Sequence, residues 1–135
     1  MNKYGRVAVY AAKLIQEDSM IDPRDAWRIA GAYFELSESE ICKSCPKNSF
    51  LGLCEEGLIN KVKINKYTSS IKNKKYALQA VSILRIKSEL SDNPLTLWDT
   101  VLTSLKQSKI QHNNQMSVVI ALWNEGLIKE RQIHI

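Results

Sequence analysis

Glycine and proline are scarce in this chain, five and three among 135 residues. That scarcity excludes an all-β fold built on many tight turns, which would need such residues at short, regular intervals. No low-complexity tract is present. The longest apolar run, Val118 to Trp123, is far too short for the roughly 20 residues a membrane helix requires. A Gly-rich phosphate loop, a G-x-S-x-G elbow and an H-E-x-x-H pair are all missing, which removes the common nucleotide, hydrolase and metalloprotease signatures. Acidic residues are missing over one long stretch: none occurs between Glu56 and Glu89.

What is there is the composition of a globular protein, 44% hydrophobic and 24% charged, with a net charge of +5. The chain is long enough for one domain with a real core. The opening "MNKYGRVAVYAAKLIQED" starts basic and turns apolar, but Lys13 interrupts the run and the spacing is helical. It reads as a folded helix rather than a signal peptide, and the expected location is cytoplasmic.

The acid-free stretch holds Lys61, Lys63, Lys66, Lys72, Lys74, Lys75, Arg85 and Lys87, so it carries more positive charge than the whole chain nets. Such polarity attracts an acidic partner: a protein face, another anionic surface or nucleic acid. The six lysines from 61 to 75 are the candidate partner-binding residues. The plainer reading is a connector kept soluble by its lysines.

The sequence says several things twice. "LCEEGLINK" at 53–61 returns as "LWNEGLIKE" at 122–130; "DPRDAWRIA" at 22–30 returns as "NPLTLWDTV" at 93–101; "KYGRVAV" at 3–9 returns as "KYALQAV" at 75–81. The three blocks keep their order with offsets that drift only by small loop differences, which is the mark of an internal repeat. Asp22–Pro23 and Asn93–Pro94 are N-cap and first-position pairs. Gly57 and Gly126 fall where a left-handed residue ends a helix and the next leucine packs back on it.

Apolar residues recur at helical spacing: Tyr4, Val7, Ala8, Ala11 and Ile15; Ala26, Ile29, Ala30 and Tyr33; Phe50, Leu53 and Cys54. The second half repeats the pattern through Ala77, Val81 and Leu84, then Leu97, Val101 and Leu102, then Met116, Val119 and Trp123. Ser37 and Glu40 have the spacing of a capping box, so a short extra helix is expected there. The segments after each glycine stop alternate apolar and polar and fit short strands or extended loops.

The expected fold is all-α: two tandem three-helix units, an internal duplication, packed as one compact domain over 1–135, with room for a short β ribbon. Unit 1–60 is followed by a basic connector, 61–74, and unit 75–135.

Three cysteines stand close together, Cys42, Cys45 and Cys54. The C-x-x-C spacing makes Cys42 and Cys45 the metal candidates, since two thiolates on one turn suit adjacent corners of a tetrahedron. A fourth ligand is wanting: only His112 and His134 offer an imidazole, and Cys54 falls on an apolar stripe. The reading is no metal and no cofactor. A nucleophilic Cys45 at a helix start is the catalytic alternative. Glu55 and Glu56 are adjacent on a helix, point apart, and are expected in solvent.

A helix ending in "EGLI" before an extended segment resembles the third helix of winged helix-turn-helix domains. Against base reading, the expected recognition helices 46–56 and 114–125 hold one basic residue, Lys47, and the turn before each is longer than the motif's three or four residues. The stretches "CPKNSFLGLCEEGLI" and "HNNQMSVVIALWNEGLI", with "KYGRVAVYAAKLI" and "KNKKYALQAV", look like a family of small uncharacterised bacterial proteins. The resemblance spans most of the chain. It implies a bacterial or phage cytoplasmic protein and brings no activity with it. The function expected is a non-catalytic interaction or regulatory protein binding a protein partner or anionic surface, without membrane or small-molecule ligand. DNA binding by tandem helix-turn-helix-like units is the alternative, and a zinc- or cysteine-dependent enzyme the third.

Overall fold

The structure, a computed structural model, describes residues 1–130. Its helices are α1 (Lys3–Glu17), α2 (Pro23–Tyr33), a short α3 (Glu38–Ile41), α4 (Ser44–Glu55), α5 (Ile71–Ile86), α6 (Pro94–Ser104) and α7 (Gln115–Asn124), with a 3-10 turn at Ser88–Asp92. The all-α expectation holds, and among the described residues no strand forms.

Most helices, α4 excepted, start where a side chain supplies an acceptor for their free N–H groups. The side chain of Asn2 accepts from Gly5 N–H. Asp22 and Asn93 cap α2 and α6, accepting from Arg24 and Thr96, and a proline follows each. Ser37 and Glu40 form the expected reciprocal capping box at α3. α7 is capped differently. Asn114 adopts a left-handed conformation, and His112 Nε2, two residues earlier, accepts Met116 N–H at 3.0 Å.

The helix ends are matched between the halves. Gly57 and Gly126 have φ of +70° and +69°. Behind them Leu58 N–H donates to Leu53 C=O, and Leu127 N–H to Leu122 C=O, each at 3.0 Å. This is the left-handed stop with its hydrophobic latch. α2 and α6 end the same way on non-glycine residues, Glu35 (φ +60°) and Lys106 (φ +55°). The stop brings the two tails together: Ile59 and Ile128 form an isolated antiparallel bridge. Asn60 N–H donates to Leu127 C=O at 3.2 Å and Lys129 N–H to Leu58 C=O at 2.7 Å. That bridge is all that the described residues show of the expected ribbon; residues 131–135 lie outside the description.

The first helix of each half packs on the third helix of the other, α1 on α7 and α5 on α4, while α4 and α7 also meet each other. Small residues permit the approach. A Cβ on Gly5 would come within 3.0 Å of Ala121 Cβ, and one on Gly52 within 2.7 Å of Lys74 Cα. Trp27 and Trp98, 1% and 2% exposed, fill the space beside them. Trp27 Nε1–H donates to Ile41 C=O and Trp98 Nε1–H to Ile110 C=O, both at 2.9 Å. Each tryptophan thus pins the long segment between the second and third α-helices of its half.

Two expectations need correction. Ile29 and Tyr33, assigned to an apolar stripe, are 42% and 63% exposed, because α2 lies at the edge of the body with one face uncovered. Tyr33 instead stacks on Tyr10 at 4.3 Å. The connector is shorter than 61–74: Ser70 caps α5, so Lys72, Lys74 and Lys75 are helical. The short α3 of the first half is the extra helix that the Ser37–Glu40 spacing predicts.

Candidate functional site

The connector, 61–70, has no regular secondary structure, yet side chains hold it in place. The Glu55 carboxylate, at the end of α4, accepts Tyr67 N–H at 2.8 Å and Thr68 N–H at 3.1 Å. Thr68 Oγ1–H donates to Asn48 Oδ1 at 2.7 Å, and Thr68 Oγ1 accepts Ser70 N–H at 3.0 Å. Tyr67 O–H donates to Lys63 C=O at 2.7 Å, and its ring faces the Arg24 guanidinium at 5.9 Å. Sequence reasoning put Glu55 in solvent. It is in fact a clamp, with its side chain 12% exposed.

Of the six lysines in the basic stretch, one is committed. Lys74 Nζ donates to Glu55 and to Glu56, both at 2.6 Å. The hydrogen bond from Lys74, aided by the backbone N–H groups of Thr68 and Tyr67, lowers the Glu55 carboxyl pKa to about 2. The same bond raises the Lys74 ammonium. Lys61, Lys63, Lys66, Lys72 and Lys75 are exposed, and among the described residues none makes an ion pair. Lys61 sits at φ +66°, a left-handed turn directly after the Ile59–Ile128 bridge.

Beyond the connector the charge is mixed. A cleft of about 420 Å³ opens between α2, the first turns of α4 and residues 67–69. Trp27, Ile41 and Leu51 contribute its apolar lining, and Arg24, Arg28 and Lys47 its cations. Arg24 is held by Asp22 at 2.7 Å and Arg28 by Asp25 at 3.1 Å. Lys47 has no ion-pair partner among the described residues.

The cysteines do not assemble a site. Cys42 is exposed, Cys45 half-buried and Cys54 buried on the core side of α4. Burial pushes the Cys54 thiol well above its ordinary value, which disfavours the reactive thiolate. Cys45 Sγ lies 3.7 Å from Asn113 Nδ2, a neutral donor from the other half. Among the described residues, no three His, Cys, Asp or Glu side chains are grouped to hold a metal. His112 is spent on the α7 cap and packs on Trp98 at 5.6 Å; burial lowers its pKa. His134, the other imidazole, lies outside the described residues.

The helices that a helix-turn-helix reading sends into a DNA groove are central here. α4 packs on α2, α5 and α7, and its residues from Ser49 to Cys54 are all buried. α7 packs on α1, α4, α5 and α6. No helix among the described residues is long and apolar enough to cross a membrane.

The chain belongs to a family of unknown function (DUF6979), whose family model matches residues 1–129. No curated protein and no solved structure matches it.

Proposed function

We propose that this chain is a non-catalytic interaction protein that engages an acidic partner through the basic face formed by Lys61, Lys63 and Lys66 of the connector and by Lys72 and Lys75 of α5. The observation that supports it is the contrast among the lysines. One is neutralised by two glutamates, while five are exposed without an acidic neighbour in sequence, on a segment held in place by Glu55, Asn48 and Thr68. An ordered backbone lowers the entropy lost when such side chains meet a partner. Lys47 of the neighbouring cleft extends the same sign of charge, while the two arginines there are paired with Asp22 and Asp25.

The test is the triple substitution Lys61→Glu, Lys63→Glu and Lys66→Glu. All three side chains are exposed, so the variant should keep the parent melting temperature while losing partner capture. Capture with and without nuclease separates the two classes of acidic partner. A nucleic acid gives nuclease-sensitive binding with a log–log salt slope of about −0.9 per phosphate neutralised. An acidic protein gives nuclease-resistant binding whose salt dependence lies mainly in the association rate. Full capture by a folded triple variant would reduce the lysines to a solubility feature.

A further inference from the structure

A groove of about 470 Å³ lies between α7, the start of α1 and the turn before α6, lined by Asn2, Ser91, Asp92, Ser117, Ile120 and Asn124 among others. Its counterpart in the first half is partly filled, beside the cleft that Asn48 and Leu51 also line. Ser117, Ile120 and Asn124 stand at the same distances before Gly126 as Asn48, Leu51 and Glu55 stand before Gly57. Ser91 and Asp92 precede Pro94 as Met20 and Ile21 precede Pro23. In the first half, Tyr67 and Thr68 occupy this place, bound to Glu55 and Asn48. Val62, Lys63, Asn65 and Tyr67 face Met20, Ile21 and Pro23 across a small crevice. In the second half, no described segment fills the equivalent space.

We infer that the groove on α7 is a docking site for an extended segment of a partner polypeptide, carrying an aromatic residue followed by a hydroxyl residue, with lysines beside them. The connector bound in the partly filled counterpart supplies the shape of the occupant. The groove supplies matching groups. Asn124 stands where Glu55 stands and holds its place by donating through Nδ2 to Ser91 C=O at 3.3 Å. Its Oδ1 makes no hydrogen bond among the described residues, so it is available to accept a backbone N–H. Ser117 offers a hydroxyl where Asn48 binds Thr68. Ile120 gives an apolar floor. Asp92 is the only charged side chain lining the groove and is exposed, which favours a cationic segment. The amide in place of the Glu55 carboxylate makes the grip weaker than the intramolecular one, since a neutral acceptor binds N–H less strongly than a charged one. A releasable peptide suits this groove better than a permanent strap. The inference does not rest on the basic face, which is built from other residues.

The test uses the full chain and a synthetic peptide with the sequence of residues 62–70, VKINKYTSS. Isotope-labelled protein is titrated and its backbone amide resonances followed. The expected result is saturable shifts at Ser117, Ile120 and Asn124, with a dissociation constant of about 0.1–1 mM, as suits a short segment that must be ordered on binding. Asn124→Lys, at an exposed position, should abolish the shifts while leaving the melting temperature unchanged, and a peptide with both lysines changed to glutamate should bind more weakly. Shifts confined to the native connector, or no saturable shift at all, would overturn the inference. So would undiminished binding to Asn124→Lys. Binding that appears only after truncation at residue 130 would overturn it too, by assigning the groove to the chain's own C-terminal residues.

Discussion

Replacing Glu55 by alanine tests the clamp directly. The substitution removes the acceptor of Tyr67 N–H and Thr68 N–H and one of the two carboxylates on Lys74. Lys74 keeps Glu56. The carboxyl pKa falls from its ordinary 4.5 to about 2 on folding, which at 1.36 kcal/mol per unit corresponds to roughly 3 kcal/mol. Solvent reaches both partners, with side chains 12% and 23% exposed, so screening discounts the figure to about 2 kcal/mol. Losing hydrogen bonds to a charged acceptor leads to a similar figure, about 1.5–3 kcal/mol each before water replaces part of it. For a chain of this length, ~2 kcal/mol lowers the melting temperature by roughly 8 °C. The sign of the pH dependence follows from the lowered pKa. The folded state binds fewer protons than the unfolded one, so the stabilisation is present above 4.5 and is lost as pH falls through about 2. Thermal unfolding of parent and Glu55→Ala should therefore differ clearly at neutral pH and converge only as pH falls below about 2. A gap that is absent at neutral pH, or that survives at low pH, would refute the clamp.

Further outcomes follow from the same contacts. His112 accepts a backbone N–H in its neutral form and has a lowered pKa, so its contribution is present above its ordinary value of 6.5 and lost as pH falls below it. The parent's melting temperature should fall across that range more steeply than that of His112→Gln, and parallel curves would count against the cap. Gly57→Ala and Gly126→Ala both place a side chain at positive φ, at a cost of about 1–2 kcal/mol. Only the first also meets Ile64, whose Cγ1 lies 2.7 Å from the new Cβ. Urea unfolding should show the larger loss at Gly57, and equal losses would mean Ile64 moves freely. Trp27→Phe and Trp98→Phe each orphan a backbone carbonyl, Ile41 or Ile110, and should cost about 1–3 kcal/mol in denaturant unfolding.

Local rules carried the sequence reading as far as they reach. The glycine stops, the Asx–Pro starts and the Ser37–Glu40 box are contained within a few residues, so their chemistry is visible in the string of letters. The helical stripes place most of the core for the same reason. Ile29 and Tyr33 fail the stripe because burial depends on whether a neighbour covers that face, and α2 has none there. Glu55 was misread for a related reason. Its partners are 12 to 19 residues away, and nothing near Glu55 in the sequence marks a carboxylate that will clamp a distant connector. The basic stretch was legible as charge, but not that Lys74 would be neutralised while its neighbours stay free. The recurrence of Trp27 and Trp98 was legible in the two repeated blocks; their role in pinning the segments after α2 and α6 depends on where the indole N–H points.

The repeated "EGLI" has a meaning that neither copy carries alone. Each glycine ends a helix and turns the next residues outward, which leaves Leu58, Ile59 and Asn60 with backbone groups that the helix no longer satisfies. The other copy presents the same need at Leu127, Ile128 and Lys129. Pairing Ile59 with Ile128 answers both demands at once and buries both isoleucines, 0% and 8% exposed. The same reciprocity governs the helices, because α1 finds its partner in α7 and α5 finds its partner in α4. The first half by itself would leave α1 without α7, and either half would leave an edge at its glycine stop without a mate. The connector therefore does more than link the halves. Fixed by Glu55 and Asn48, it sets the start of α5 against α4, and in doing so presents its lysines from an anchored backbone.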